Sequence, residues 1–83
     1  MAVVKTEIEK LVVLASGGAL TLNQLNEAKG SLPAAGYKSM MLMSLIEMLE
    51  SHYGIIIDPT MDPEPLLSVE GLVQFVNNYL AAA

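Results

Sequence analysis

The sequence predicts an all-α fold: a four-helix bundle of three long helices and one short one, with a long loop between helices one and two. Two observations carry this. Apolar residues recur at intervals of three and four along three separate stretches. Only Ile55 to Ile57 reads as a strand, and no second such stretch exists to pair with it. Scale agrees, because 83 residues that are 53% hydrophobic make one domain, residues 1–83, whose core needs neither disulfide nor metal.

Helix one opens at Val4. Ile8, Leu11, Val12 and Ala15 follow at helical spacing, Lys5, Glu9 and Lys10 fall off that stripe, and Gly17 and Gly18 stop it. In the long connection that follows, Leu20, Leu22 and Leu25 supply anchors to the core, while Asn23, Asn26, Gly30, Pro33 and Gly36 argue against a regular element. Loops of this length in small domains tend to be functional or disordered, and the spaced leucines favour order.

Helix two follows Gly36, with Ser39 at its N-terminus. Leu42, Leu45, Ile46, Leu49 and Tyr53 form its stripe, Met43 is assigned to the core, and Gly54 closes the helix. Ile55 to Pro59 reads as an extended connector packed on the core. Pro59, Pro63 and Pro65 limit helix three to about one turn, around Asp62 to Leu67, because proline blocks a helix interior. Helix four takes Ser68 as N-cap and Glu70 in its first turn, and Val69, Leu72, Val73, Val76 and Leu80 make its stripe. It is expected to end near Tyr79 or Leu80, leaving Ala81 to Ala83 frayed. Such stripes are buried only against one another, hence the bundle.

Composition narrows the function. Four lysines and no arginine stand against nine acidic residues, a net charge of -5, so a nucleic-acid backbone would be repelled. No apolar run spans a bilayer, and the opening residues lack the layout of a signal peptide. The chain is therefore expected to be cytoplasmic and monomeric, with no nucleic-acid or membrane partner, and the absence of cysteine agrees with a reducing compartment. Conventional catalysis and metal binding have thin material. His52 has no second histidine to share a metal and reads as a solvated side chain, and Asp58 and Asp62 read as turn and cap residues.

One stretch is left unexplained by packing: Gly36-Tyr37-Lys38-Ser39-Met40, at the head of helix two. It resembles the acyl and peptidyl carrier proteins, whose pattern is Gly-x-Asp-Ser-(Leu or Met), then a helix ending in an aromatic residue and a Gly-Ile-x-Ile segment. Here the matching residues are Gly36, Ser39 and Met40, then Tyr53, Gly54, Ile55 and Ile57. The likeness extends over nearly the whole chain: the Gly-Gly end of helix one, the loop length before the serine, the short third helix, and Ser68-Val69-Glu70-Gly71-Leu72 opening helix four.

The resemblance implies a carrier-protein bundle in which a phosphopantetheinyl transferase joins phosphopantetheine to the Ser39 hydroxyl as a phosphodiester. The arm's thiol would hold an acyl or polyketide intermediate as a thioester and present it to acyl-transferring or ketosynthase-type enzymes, so the chain itself is not expected to be an enzyme. A helix N-terminus suits a phosphate, and serine is equally a preferred N-cap, so the residues alone leave both roles open. Lys38, Met40, Met41, Ser44, Glu47 and Met48 are the expected partner face. Leu42, Ile46, Ile57 and Val73 are the expected acyl-cleft lining.

Lys38 departs from the family's aspartate. It opposes the helix dipole and would repel a basic transferase surface, so the alternative expectation is an unmodified, carrier-like interaction protein. Helix two also carries only Glu47 and Glu50 as acids among four methionines. Partners are therefore expected to dock through apolar contact more than charge; Met41 and Met48, placed off the core stripe, are read either as adaptable core filling or as part of that partner surface or of the acyl-cleft lining.

Overall fold

A computed structural model describes residues 3–82. Helices α1 (Lys5–Ala15), α2 (Leu22–Glu27) and α3 (Ser39–Tyr53) are followed by a 3₁₀ turn (Glu64–Leu66) and α4 (Val69–Ala82). The described residues form no strand. Helix α1 is the hub: it packs against α2, α3 and α4, while α3 and α4 lean on it rather than on each other. Its buried face is the predicted Ile8, Leu11, Val12 and Ala15. Leu45 and Leu49 of α3, and Val69, Leu72 and Val76 of α4, close on that face. The rest of the two predicted stripes, Leu42, Ile46, Tyr53, Val73 and Leu80, packs around this centre half-buried.

The connection after α1 is not the element-free loop that its asparagines and glycines predict, because six of its residues form α2. The cause is local. Thr21 Oγ1 accepts the Gln24 N–H at 3.2 Å, and Gln24 Oε1 accepts the Thr21 N–H at 2.9 Å, a reciprocal cap that outweighs the poor helix propensity of Asn23 and Asn26. Leu20 and Leu25 are buried as expected, whereas Leu22 is exposed. Its anchoring role passes to Leu32, which is fully buried.

Beyond α2 the chain is stitched to the start of α4. The Leu32 N–H donates to the Leu67 carbonyl and the Val69 N–H to the Gly30 carbonyl, both at 2.9 Å, around an antiparallel bridge between Ser31 and Ser68. Ser68 Oγ then accepts the Gly71 N–H at 3.0 Å, the predicted N-cap of α4. A Cβ at Gly71 would fall on the Pro65 carbonyl oxygen, so glycine is what lets α4 start flush against the 3₁₀ turn. At its other end α4 runs on through Ala82 instead of stopping near Tyr79 or Leu80, as suits the best helix-forming residue. Ala83 lies outside the described residues.

The Ile55–Ile57 connector alternates like a strand: Ile55 and Ile57 are buried and Ile56 is 78% exposed. Side chains stand in for a partner strand. Glu50 Oε2 accepts the Ile57 N–H at 2.9 Å and the Tyr79 hydroxyl oxygen accepts the Ile56 N–H at 3.2 Å. Asp58 and Asp62 serve turns, accepting the N–H groups of Thr60 and Glu64 at 2.8 and 3.1 Å. Val3 and Asn77 join the two ends of the described chain, the Val3 N–H to Asn77 Oδ1 at 2.6 Å and Asn77 Nδ2 to the Val3 carbonyl at 3.2 Å. No described helix is long and apolar enough to cross a membrane.

Candidate functional site

Ser39 is exposed and is the first residue of α3, one place inside its N-cap. The cap is Lys38, with the extended backbone of an N-cap (φ -97°, ψ 163°). A lysine ammonium has no lone pair with which to receive the helix's first N–H groups. The first backbone bond that closes on the cap comes from Leu42, whose N–H meets the Lys38 carbonyl at 3.0 Å. The amides of Ser39, Met40 and Met41 thus lie at the open, partially positive end of the helix. Serine is not spent as a cap here, because the cap position belongs to its neighbour.

The approach to Ser39 is closely tied. The Leu32 carbonyl accepts the N–H groups of both Ala35 and Tyr37, at 3.1 and 2.9 Å, and closes residues 32–37 into a tight turn. Gly36 holds φ at 85°, a conformation side chains resist. The Tyr37 hydroxyl reaches across to α1 and donates to the Val12 carbonyl at 2.9 Å. Burial pushes the Tyr37 pKa up to about 12, so the hydroxyl remains a donor at neutral pH. Leu32, Pro33, Tyr37, Leu42 and Leu67 line a small hollow of about 130 Å³ beside Lys38 and Ser39. A larger depression of about 500 Å³ lies elsewhere, along Val4, ahead of α1, Val13 and Leu14 on it, and Leu22, with no chemistry-bearing group of the Ser39 region in it.

The methionines fall differently from expectation. Met40 and Met43 stand out at 83% and 62% exposure, so Met43 is not a core residue. Met48 packs half-buried against the core and Met41 is half-buried too, its Sδ 3.5 Å from the Lys38 N–H. The reason is helical geometry: positions 41 and 48 lie four before and three after buried Leu45 and share its side, while 40 and 43 point outward with Ser44 and Glu47, both exposed. Of the expected cleft residues, Leu42 and Ile46 on α3 and Val73 on α4 are half-buried, and Ile57 is buried in the connector. Leu42 borders the hollow next to Ser39; Val73 borders a different one, with Lys5, Asn26 and Lys29.

One polar cluster has no signal in the sequence, since its members are 45 and 46 residues apart. Glu7 Oε1 of α1 accepts the Tyr53 hydroxyl at 2.7 Å and sits 3.3 Å from His52 Nε2, clasping the C-terminal end of α3 to α1. His52 is a half-exposed side chain whose ring also meets that of Tyr53 edge to face, centroids 4.7 Å apart. The Tyr53 hydroxyl, and secondarily His52, hold the Glu7 carboxyl below its ordinary 4.5, and burial followed by the Glu7 bond pushes the Tyr53 hydroxyl up. A carboxyl depressed on folding contributes stability that is present above its unfolded pKa and lost as pH falls through the folded one. Acidification below about pH 4.5 is therefore expected to lower the melting temperature of the native chain more than that of Glu7→Gln. Melting curves of the two that fall in parallel would show that ionisation of Glu7 adds nothing to the clasp.

No family model matches the chain, and no curated protein or solved structure matches it.

Proposed function

We propose that the chain is an acyl carrier protein that holds a biosynthetic acyl or polyketide intermediate as a thioester on a phosphopantetheine arm at Ser39. The observation that carries this reading is an exposed serine at the first position of α3, spared from capping by Lys38 and set at the end of a tightly closed turn. The residues present suit the group: a phosphodiester on Ser39 Oγ would lie at the positive end of α3, next in the chain to the cationic Lys38. The lysine that opposes the helix dipole thus complements the modified serine. The arm supplies the thiol that a chain without cysteine lacks.

Attachment uses coenzyme A. A P–O bond forms at Ser39 as the bond to the nucleotide half breaks, and the hydroxyl proton passes to a base on the transferase. Chemistry on the acyl group then belongs to partner enzymes of the acyl-transferring or ketosynthase type. Met40 and Met43, beside Ser44 and Glu47, give them an adaptable apolar face on the same helix as the arm. Leu42, Ile46, Ile57 and Val73 on and between the two helices that lean on α1 remain the residues proposed to shield the acyl chain.

The test is intact-mass measurement after incubation with coenzyme A and a broad-range phosphopantetheinyl transferase. The native chain is expected to gain one phosphopantetheine and Ser39→Ala none. A native chain that gains nothing sinks the carrier reading and leaves the interaction protein, with Lys38 marking the departure.

A further inference from the structure

We infer that Tyr37 is a positioning residue for Ser39: its hydroxyl bond to the Val12 carbonyl fixes the entry of α3 against the hub helix. This rests on reading Ser39 as the attachment point. The acceptor is free for a structural reason. The N–H that would meet the Val12 carbonyl in a continuing helix is that of Ser16, and it turns instead to Val13 at 3.2 Å. Ser16 Oγ also donates to Val13, at 2.6 Å, as the last turn of α1 tightens ahead of Leu20. Val12 is left with an unclaimed carbonyl facing the loop, and Tyr37 claims it across 25 residues.

The rest of the turn points the other way. Leu32 is tied to Leu67, just past the 3₁₀ turn, and Gly30 to Val69, the first residue of α4. Among the described residues, the Tyr37 hydroxyl makes the one hydrogen bond that ties residues 28–38 to α1. Only Lys38, in extended conformation, separates Tyr37 from Ser39. A transferase must bring the Ser39 oxygen in line with a phosphorus atom, and small misplacements of a reacting group are costly in rate. Without the hydroxyl, the turn keeps its tie to α4 but loses its lateral reference, and the serine is presented over a wider range of positions.

The experiment compares the native chain with Tyr37→Phe, which keeps the ring and removes only the bond, and with Val76→Ala, a core change in the middle of α4 outside the lining of the hollow beside Ser39. Two quantities are read well below the unfolding temperature: the rate of phosphopantetheine addition, and amide exchange at Tyr37, Leu42 and Leu49. Tyr37→Phe is expected to lower kcat/KM for addition by about ten- to a hundredfold and to speed exchange at Tyr37 and Leu42, with Leu49, in the middle of α3, unchanged. Val76→Ala, which only weakens the fold, is expected to leave the addition rate near native. Native-rate addition by Tyr37→Phe overturns the inference, and so does equal acceleration at all three amides. If the native chain itself takes up no arm, the carrier reading has failed, and exchange at Tyr37 and Leu42 still decides whether the hydroxyl fixes the entry to α3.

Discussion

Leu45→Ala is expected to remove about 2–5 kcal/mol of stability, the range for emptying a fully buried leucine site. Leu45 is wholly inaccessible, belongs to one core with Ile8 and Val12 of α1, against which α3 packs, and is one of only two fully buried side chains on α3. A chain of 83 residues has roughly 4–12 kcal/mol in all at the usual stability per residue, so the loss approaches the lower end of that range. The melting temperature should fall by roughly 4–8 °C for each kcal/mol lost. Denaturant titration with the slope unchanged would confirm that packing is the cause. A loss below about 1 kcal/mol, no more than about one buried methylene is worth where Leu→Ala removes three carbons, would mean that α3 does not rest on α1 through Leu45.

Lys38→Asp should work in the opposite direction, raising stability by about 1–2 kcal/mol. The backbone at this position already has N-cap geometry, so an aspartate carboxylate is placed to accept the Met40 or Met41 N–H, worth about 1 kcal/mol. Replacing a cation by an anion at the positive end of α3 adds roughly 0.3–1 kcal/mol. Thermal melts at low ionic strength check this, and salt should shrink the electrostatic part. An unchanged or lowered melting temperature would show that the Lys38 side chain makes contacts worth more than a cap. If Ser39 accepts the arm, the same variant should be modified faster by a transferase with a basic surface, since the repulsion at position 38 becomes attraction. Stability and modification rate rising together would identify Lys38 as a residue that trades both for something else, the pairing with a phosphodiester being the candidate.

The three long helices were legible because each carries enough turns for a stripe of period 3.6 to stand out, as Ile8, Leu11, Val12 and Ala15 do. Helix α2 escaped for the opposite reason: six residues with one buried leucine give no stripe, and its real signal, Thr21 followed three places later by Gln24, lies in the cap. Met43 was misplaced although the needed spacing was present, since 41 and 48, not 43, share a side with Leu45. Exposed Ser39 at the head of α3 was readable from Gly36 onward. That Lys38 rather than Ser39 occupies the cap was not, because the boundary turns on a single pair of dihedral angles. The bonds of Tyr37 to Val12 and of Tyr53 to Glu7 join helices far apart in sequence, and their partners become neighbours only once α1 is enclosed.

Asn77 carries a consequence for the order in which the molecule assembles. Its side chain grips both the N–H and the carbonyl of Val3 across 74 residues, the greatest sequence separation of any side-chain hydrogen bond described. Closing so large a loop is entropically costly until the intervening helices have collapsed, so this seam belongs late in folding. By the same logic it opens early. Val3 and Val4, ahead of α1, can then come away in a local excursion while Leu45, Leu72 and their neighbours hold, which sets a lower rung of the opening hierarchy than global unfolding.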